Sequence, residues 1–187
     1  MILNIFGPSG SGKTSFVRNL LRQGKTHIIY EKLTNEKSNI NLNKKIAISL
    51  IPLPLFRGTV KEFFDIFSIN IYDLLTLEKN LKELADSIFN EFNNEKNLEI
   101  ISSRKLETFS AGEIRRLYLL KSLLVNSNIT IIDEPFSNSD QKLWEIIYKA
   151  IDIKSKIIVL SHVSLDNLFD SNQTNICVDI KNIKNII

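Results

Sequence analysis

The sequence has one cysteine, Cys177, so no internal disulfide can form. A reducing compartment is the simplest setting for such a chain. Long apolar runs are also missing. The longest mainly apolar stretch, residues 46–56, is too short to span a bilayer and contains two prolines. The start, MILNIFGPSG, lacks the charged segment and long apolar core of a signal peptide. Any work at a membrane then requires a membrane part from another chain. Massed charge of one sign is absent too. The 24 Lys and Arg residues stand against 21 Asp and Glu, for a net charge of +3. The two signs are interleaved, which argues against nucleic acid as a partner. No internal repeat is visible. With 187 residues, 43% of them hydrophobic and 24% charged, the chain suits one globular domain or a domain with a subdomain.

Along the chain, residues 2–6 form an apolar run that ends at glycine and reads as a buried strand. Residues 13–22 read as a helix with Gly24 as its stop, and 27–30 as a second strand. The polar, Asn-rich segment 34–45 reads as a surface loop, and 46–51 as a strand. The middle changes character. Thr59 and Glu62 form a T-x-x-E capping box, and Leu77, Leu81, Leu84, Ala85, Ile88, Phe89 and Phe92 share one helical face. Residues 58–105 are therefore expected to be a helical insertion, with a core of 1–57 and 106–187 around it. Helices at 111–126, 140–152 and near 165–170 then alternate with strands at 129–133, 156–161 and 175–180. That alternation predicts an α/β fold with a mainly parallel sheet flanked by helices.

GPSGSGKT, comprising Gly7, Pro8, Ser9, Gly10, Ser11, Gly12, Lys13 and Thr14, fits G-x-x-x-x-G-K-[ST] between a predicted strand and a predicted helix. Glycines let such a loop wrap tightly, so that backbone N–H groups and a helix N-terminus face a phosphate. Lys13 can reach the β- and γ-phosphates, and the Thr14 hydroxyl can ligate Mg²⁺. A small-molecule kinase could begin the same way. ITIIDE ends a predicted strand in two acids. Asp133 can hold Mg²⁺ directly or through water, and Glu134 could polarise an attacking water. Taken alone, the pair followed by Pro135 also reads as a plain turn. FSAGE, with Ser110, Ala111, Gly112 and Glu113, opens a helix through a second capping box. It reads either as a well-capped helix or as an anion site, and the anion could belong to another subunit.

These motifs, in this order, resemble an ABC ATPase of the P-loop class over nearly the whole chain. GPSGSGKT resembles its Walker A loop and ITIIDEP its Walker B segment with the catalytic glutamate, here Glu134. FSAGE resembles the LSGGQ signature, with alanine for a glycine and glutamate for glutamine. SNSD, ending at Asp140, resembles the D-loop, and His162 in IIVLSH the switch histidine. Two departures stand out. The chain starts almost at the P-loop strand, so the usual N-terminal β segment and its adenine-stacking aromatic are not seen, and weak discrimination between ATP and GTP is expected. SLIPLPLFRGTVKEF resembles the stretch after the Q-loop of exporters, but no Gln lies between Gln23 and Gln141; the Q-loop glutamine would fall near Ile51 or Pro52.

The resemblance implies ATP and Mg²⁺ as ligands. It further implies a head-to-tail homodimer or heterodimer with another ABC ATPase domain, and a transmembrane permease subunit powered by hydrolysis. The implied location is the cytoplasmic face of the membrane. Phe56, Phe63, Phe64 and Phe67 are a candidate docking face or, equally, core. A soluble ABC ATPase and a P-loop small-molecule kinase stay open as alternatives.

Overall fold

The isoleucine-rich runs become strands, and the strands fix the rest of the fold. The computed structural model describes residues 2–26, 30–32, 46–50, 53–89, 94–137, 139–152, 156–167 and 175–183. In chain order they form β1 (Ile2–Phe6), α1 (Lys13–Arg22), β2 (Ile46–Ser49), α2 (Val60–Ile66), α3 (Lys79–Phe89), α4 (Glu95–Ser103), α5 (Ala111–Leu124), β3 (Ile129–Asp133), α6 (Gln141–Asp152), β4 (Ile157–Ser161), β5 (Asn175–Asp179) and α7 (Ile180–Ile183). Short 3₁₀ turns occupy Ile71–Thr76, Leu106–Thr108 and Leu165–Asn167. Of the strand predicted at 27–30, residues 27–29 lie outside the described residues, and Tyr30 is helical with Glu31 and Lys32. The loop predicted at 34–45 also lies outside them. Among the described residues no helix is long and apolar enough to cross a membrane.

The chain divides into two compact units. The first comprises Met1–Ile51, Asn126–Pro135 and Lys154–Ile187. It carries a parallel sheet of order β2-β3-β4-β1-β5. Every residue of β3 and β4 is buried, as near-continuous apolar runs in a parallel sheet require. Leu3, Ile5, Ile131, Ile158 and Leu160 form the core with Val17 and Leu20 of α1. Burying each such side chain stabilises by about 1.5–3 kcal/mol, which makes the strand ends a firm platform.

The second unit comprises Pro52–Val125 and Phe136–Ile153. It contains the whole expected insertion, 58–105, and is wider, because it also takes in 106–125 and 136–153. Both predicted capping boxes form: Glu62 N donates to Thr59 Oγ1 at 3.2 Å while Thr59 N donates to Glu62 Oε2 at 2.7 Å. Leu81, Leu84, Ala85, Ile88 and Phe89 are buried along one face of α3, which packs on α5 and α6. The phenylalanines resolve largely toward core. Phe63 and Phe64 are fully buried, and the Phe63 ring meets Phe56, Phe64, Phe67 and Tyr118 edge-on at 4.9–5.7 Å. Phe67 is exposed.

Candidate functional site

The first unit brings five of the predicted site residues together at the carboxyl ends of β1, β3 and β4. After Phe6 the chain turns at Gly7, whose N–H donates to Ser161 O at 3.2 Å. Gly7 has φ +154°, and a Cβ there would lie 2.7 Å from Ile180 Cγ2, so a larger residue would force the loop off α7. Gly10 and Gly12 sit at φ 75° and 90°, a region that costs other residues about 1–2 kcal/mol. Ser11 N donates to Pro8 O at 3.1 Å and closes the turn. Gly12 is the N-cap of α1, and no side chain caps that helix. Its first amides and its dipole are thus available to an anion. Pro8, Ser9 and Gly10 are exposed beside them. Lys13 is buried, with Nζ donating to Gly7 O at 2.7 Å and to Pro8 O at 3.2 Å.

Asp133 ends β3, and its Oδ2 accepts from Thr14 Oγ1 at 2.7 Å. Two hard oxygen donors therefore converge from residues far apart in sequence. Glu134 follows. Its N–H extends the ladder to Leu160 O at 2.8 Å, and its φ of 50° is in the left-handed region. Strain of this kind persists at a non-glycine position only where the surroundings enforce it, and it concentrates at working sites. Glu134 Oε1 lies 3.5 Å from Lys13 Nζ and Oε2 lies 3.4 Å from His162 Nε2. Burial pushes the Glu134 carboxyl above the usual range; His162 and Lys13 pull it down, and Asp133 adds to the rise. His162, one residue past β4, is half-exposed.

The remaining predicted residues belong to the second unit. Ser110 N-caps α5: Glu113 N donates to its Oγ at 3.2 Å, and its own N–H donates to Glu113 Oε2 at 2.7 Å. Ser110, Ala111 and Gly112 are exposed. Burial pushes the Glu113 carboxyl up, but the bonds from Ser110 and the charges of Arg104 and Arg116 outweigh it and hold it below the ordinary range. Arg104 lies 3.9 Å from Glu113 and stacks 3.6 Å over the Phe109 ring. Asp140 caps α6, with Oδ1 accepting from Leu143 N at 2.8 Å. Arg116 feels both Glu113 and Asp140. The Q-loop position, 51–52, lies outside the described residues.

Three contributors were not singled out from the sequence. Asn4 interrupts an otherwise apolar strand and is fully buried; that interruption was the available signal. Arg116 stands three residues after Glu113, a spacing that places both on one helix face. Arg104 carries no local signal, because its contact depends on how the chain turns before α5.

A family model described as "ABC transporter" matches residues 1–137. Over 191 residues the chain is 27% identical to the "Zinc import ATP-binding protein ZnuC" of Rickettsia bellii (strain RML369-C), covering 95% of this chain and 71% of that protein. It is 35% identical over 181 residues to the "Lacticin-481/lactococcin-DR transport/processing ATP-binding protein lcnDR3" of Lactococcus lactis subsp. lactis, covering 88% of this chain and 24% of that protein. Among solved structures, a "Putative ABC transporter (ATP-binding protein)" from Pyrococcus furiosus superposes with TM-score 0.59 at 18% identity, over 97% of this chain and 84% of that one. At that identity the likeness speaks for the fold.

Proposed function

The chain belongs to the ABC transporter family, and from that premise we propose that it binds ATP on the Gly7–Thr14 loop and hydrolyses it to power a separate membrane subunit. The observation that carries this reading is the convergence of Lys13, Thr14, Asp133, Glu134 and His162 at three adjacent strand ends. Open sheets of this type bind ligands just beyond the carboxyl ends of their strands.

The loop amides and the α1 dipole hold the phosphates. Lys13 exchanges the Gly7 and Pro8 carbonyls for phosphate oxygens. Thr14 and Asp133 form a hard-oxygen pair that fits Mg²⁺, which takes one or two protein oxygens and keeps waters. When bound, that ion supplies charge that neutralises the β- and γ-phosphates. Glu134 takes the proton of the attacking water as its oxygen bonds to the γ-phosphorus. The bond from that phosphorus to the bridging oxygen breaks, and ADP leaves with the electron pair. The raised proton affinity of Glu134 suits a base that works near neutral pH. His162 faces Oε2, while Oε1 faces Lys13; when Lys13 turns to the phosphates, Oε1 is the oxygen that meets water.

Two chains sandwich ATP head to tail, with Ser110, Ala111 and Gly112 of each meeting the nucleotide on the other. Asp140 and Glu113 flank that contact, and Arg104 and Arg116 offset the charge of Glu113. The partner in the membrane is a permease, and the chain sits at the cytoplasmic face beside it. One named relative is a zinc import protein and the other a transport/processing protein, so neither assigns a direction or a cargo.

Light scattering of Glu134→Gln with Mg-ATP tests the reading. ATP should persist and a dimer should accumulate. Ser110→Asp keeps an N-cap of similar strength but adds a charge where the phosphate must sit, so Glu134→Gln with Ser110→Asp should stay monomeric with ATP bound. An indifferent Ser110, or a Glu134→Gln protein that binds ATP and never dimerises, would point to a one-subunit P-loop enzyme instead.

A further inference from the structure

Asn4 sits in the middle of β1, between β4 and β5, where an amide is out of place unless it is fully bonded. It is fully bonded. Its Nδ2 donates to Val159 O at 3.2 Å and to Ser161 Oγ at 2.8 Å, and its Oδ1 accepts from Leu165 N at 3.0 Å. The donors and the acceptor of the side chain are all used. Ser161 Oγ in turn donates to Val163 O. The turn from 161 to 165 is therefore held at its start, its middle and its end by one network anchored on the buried Asn4, and His162 lies inside that bracket.

Among the described residues His162 has one polar side-chain contact, with Glu134. It is half-exposed, and its contact with Glu134 Oε2 is a 3.4 Å approach across the site. A side chain so placed points where its backbone sends it. An apolar residue would fill β1 equally well, so packing alone does not call for an amide at this position. What the amide adds is the grip on the turn after β4.

We propose that Asn4 is a positioning residue for hydrolysis, which holds the 161–165 turn so that His162 meets Glu134. This rests on the roles given above to His162 and Glu134. Among the described residues none of the Asn4 side-chain bonds goes to the nucleotide loop or the reacting atoms, and the Gly7 bond to Ser161 uses a backbone carbonyl that stays in place, so loss of Asn4 should act on turnover and not on binding.

The test is a double-mutant cycle on the full chain with Mg-ATP. Asn4→Leu keeps shape and removes the bonds. Its kcat should fall about tenfold, with the Kd for ATP within about twofold of the parent. In a His162→Ala background, Asn4→Leu should cost nothing further, because the residue it serves is gone. The His162 imidazole NMR signal, assigned by its loss in His162→Ala, should move in Asn4→Leu without nucleotide. Ser161→Ala loosens the same turn from the other end and should repeat the pattern, which covers the case in which Asn4→Leu fails to fold. Losses that multiply in the double variants, or an unmoved imidazole signal, would overturn the proposal while leaving the family mechanism in place. A His162→Ala protein with unchanged kcat would overturn the role of His162, and this proposal with it.

Discussion

Two helix N-termini carry the two halves of the proposed nucleotide site, and they are built in opposite ways. In the first unit α1 begins at Gly12, which has no side chain to cap it. In the second, α5 begins at Ser110, and a full capping box ties Ser110 to Glu113 in both directions. The open end stands among polar and ionisable groups brought together from distant parts of the chain: Lys13, Asp133, Glu134 and His162. The boxed end satisfies itself within four residues. The difference separates two jobs. An end that must grip phosphates and do chemistry is left unsatisfied and is braced by the sheet. An end that must only present its exposed amides is made stable first. The contrast predicts that substitutions at the open end change function strongly, whereas those at the boxed end change stability first.

The largest effect is expected at Glu134. Glu134→Gln removes the base and keeps the size. Hydrolysis should slow by a factor of about 10²–10⁴, with ATP affinity retained in calorimetry. A Glu134→Gln protein that turned over ATP normally would move the chemistry elsewhere. Next comes Lys13→Ala. Charge-assisted hydrogen bonds are worth about 1.5–3 kcal/mol each, so ATP affinity should fall roughly ten- to a hundredfold. Unchanged affinity would mean that the open end of α1 is not the phosphate cradle.

Much of this was legible in the sequence, for a physical reason. The loop, both capping boxes and the acid pair are contiguous motifs, and both boxes form. The strand–helix alternation gave the parallel sheet, because only helical crossovers return a chain to the same edge direction. What the sequence did not yield lies between distant residues. The Thr14–Asp133 bond and the Lys13–Glu134–His162 cluster depend on strand order, which periodicity does not encode. Phe63 is core because α2 turns it toward Tyr118, far along the chain, and Phe64 is buried beside the Phe63 ring. Asn4 is one polar residue in a five-residue apolar strand, and its role depends on three partners far along the chain.

The boxed end gives a smaller effect of a different kind. Ser110→Ala removes the cap and should cost about 1 kcal/mol, which lowers the melting midpoint by roughly 2–4 °C for a chain of this size. ATP binding to the isolated chain should not change, since the first unit supplies that cradle. The effect should carry a pH signature. Glu113 is held below the ordinary carboxylate range, so its share of stability is present above the unfolded value and is lost as pH falls through the folded one. The melting difference between parent and Ser110→Ala should therefore shrink in acid. A loss of ATP affinity in the Ser110→Ala monomer would break the division between the two ends.

The smallest effect is the most direct measure of how unsatisfied the open end is. Burial raises the Glu134 carboxyl, despite His162 and Lys13. A carboxyl raised on folding contributes stability in its protonated form. That contribution is fully present below the unfolded value, about 4.3, and is lost as pH rises through the folded value. At neutral pH the ionised Glu134 therefore weighs against the folded chain. Gln resembles the protonated form at every pH, so Glu134→Gln should melt higher than the parent near pH 7–8 in the absence of nucleotide. The rise should be about a degree or two, below the 2–4 °C that about 1 kcal/mol would give, because the group is only partly out of water. It should fade toward pH 4, where the parent is protonated too. The left-handed backbone at Glu134 is unchanged by this substitution, so it drops out of the difference. A Glu134→Gln chain that melts lower than the parent at neutral pH would mean that Lys13 and His162 satisfy the carboxylate fully. The open end would then be as settled as the boxed one, and the contrast between them would not explain why only one of them holds the proposed base.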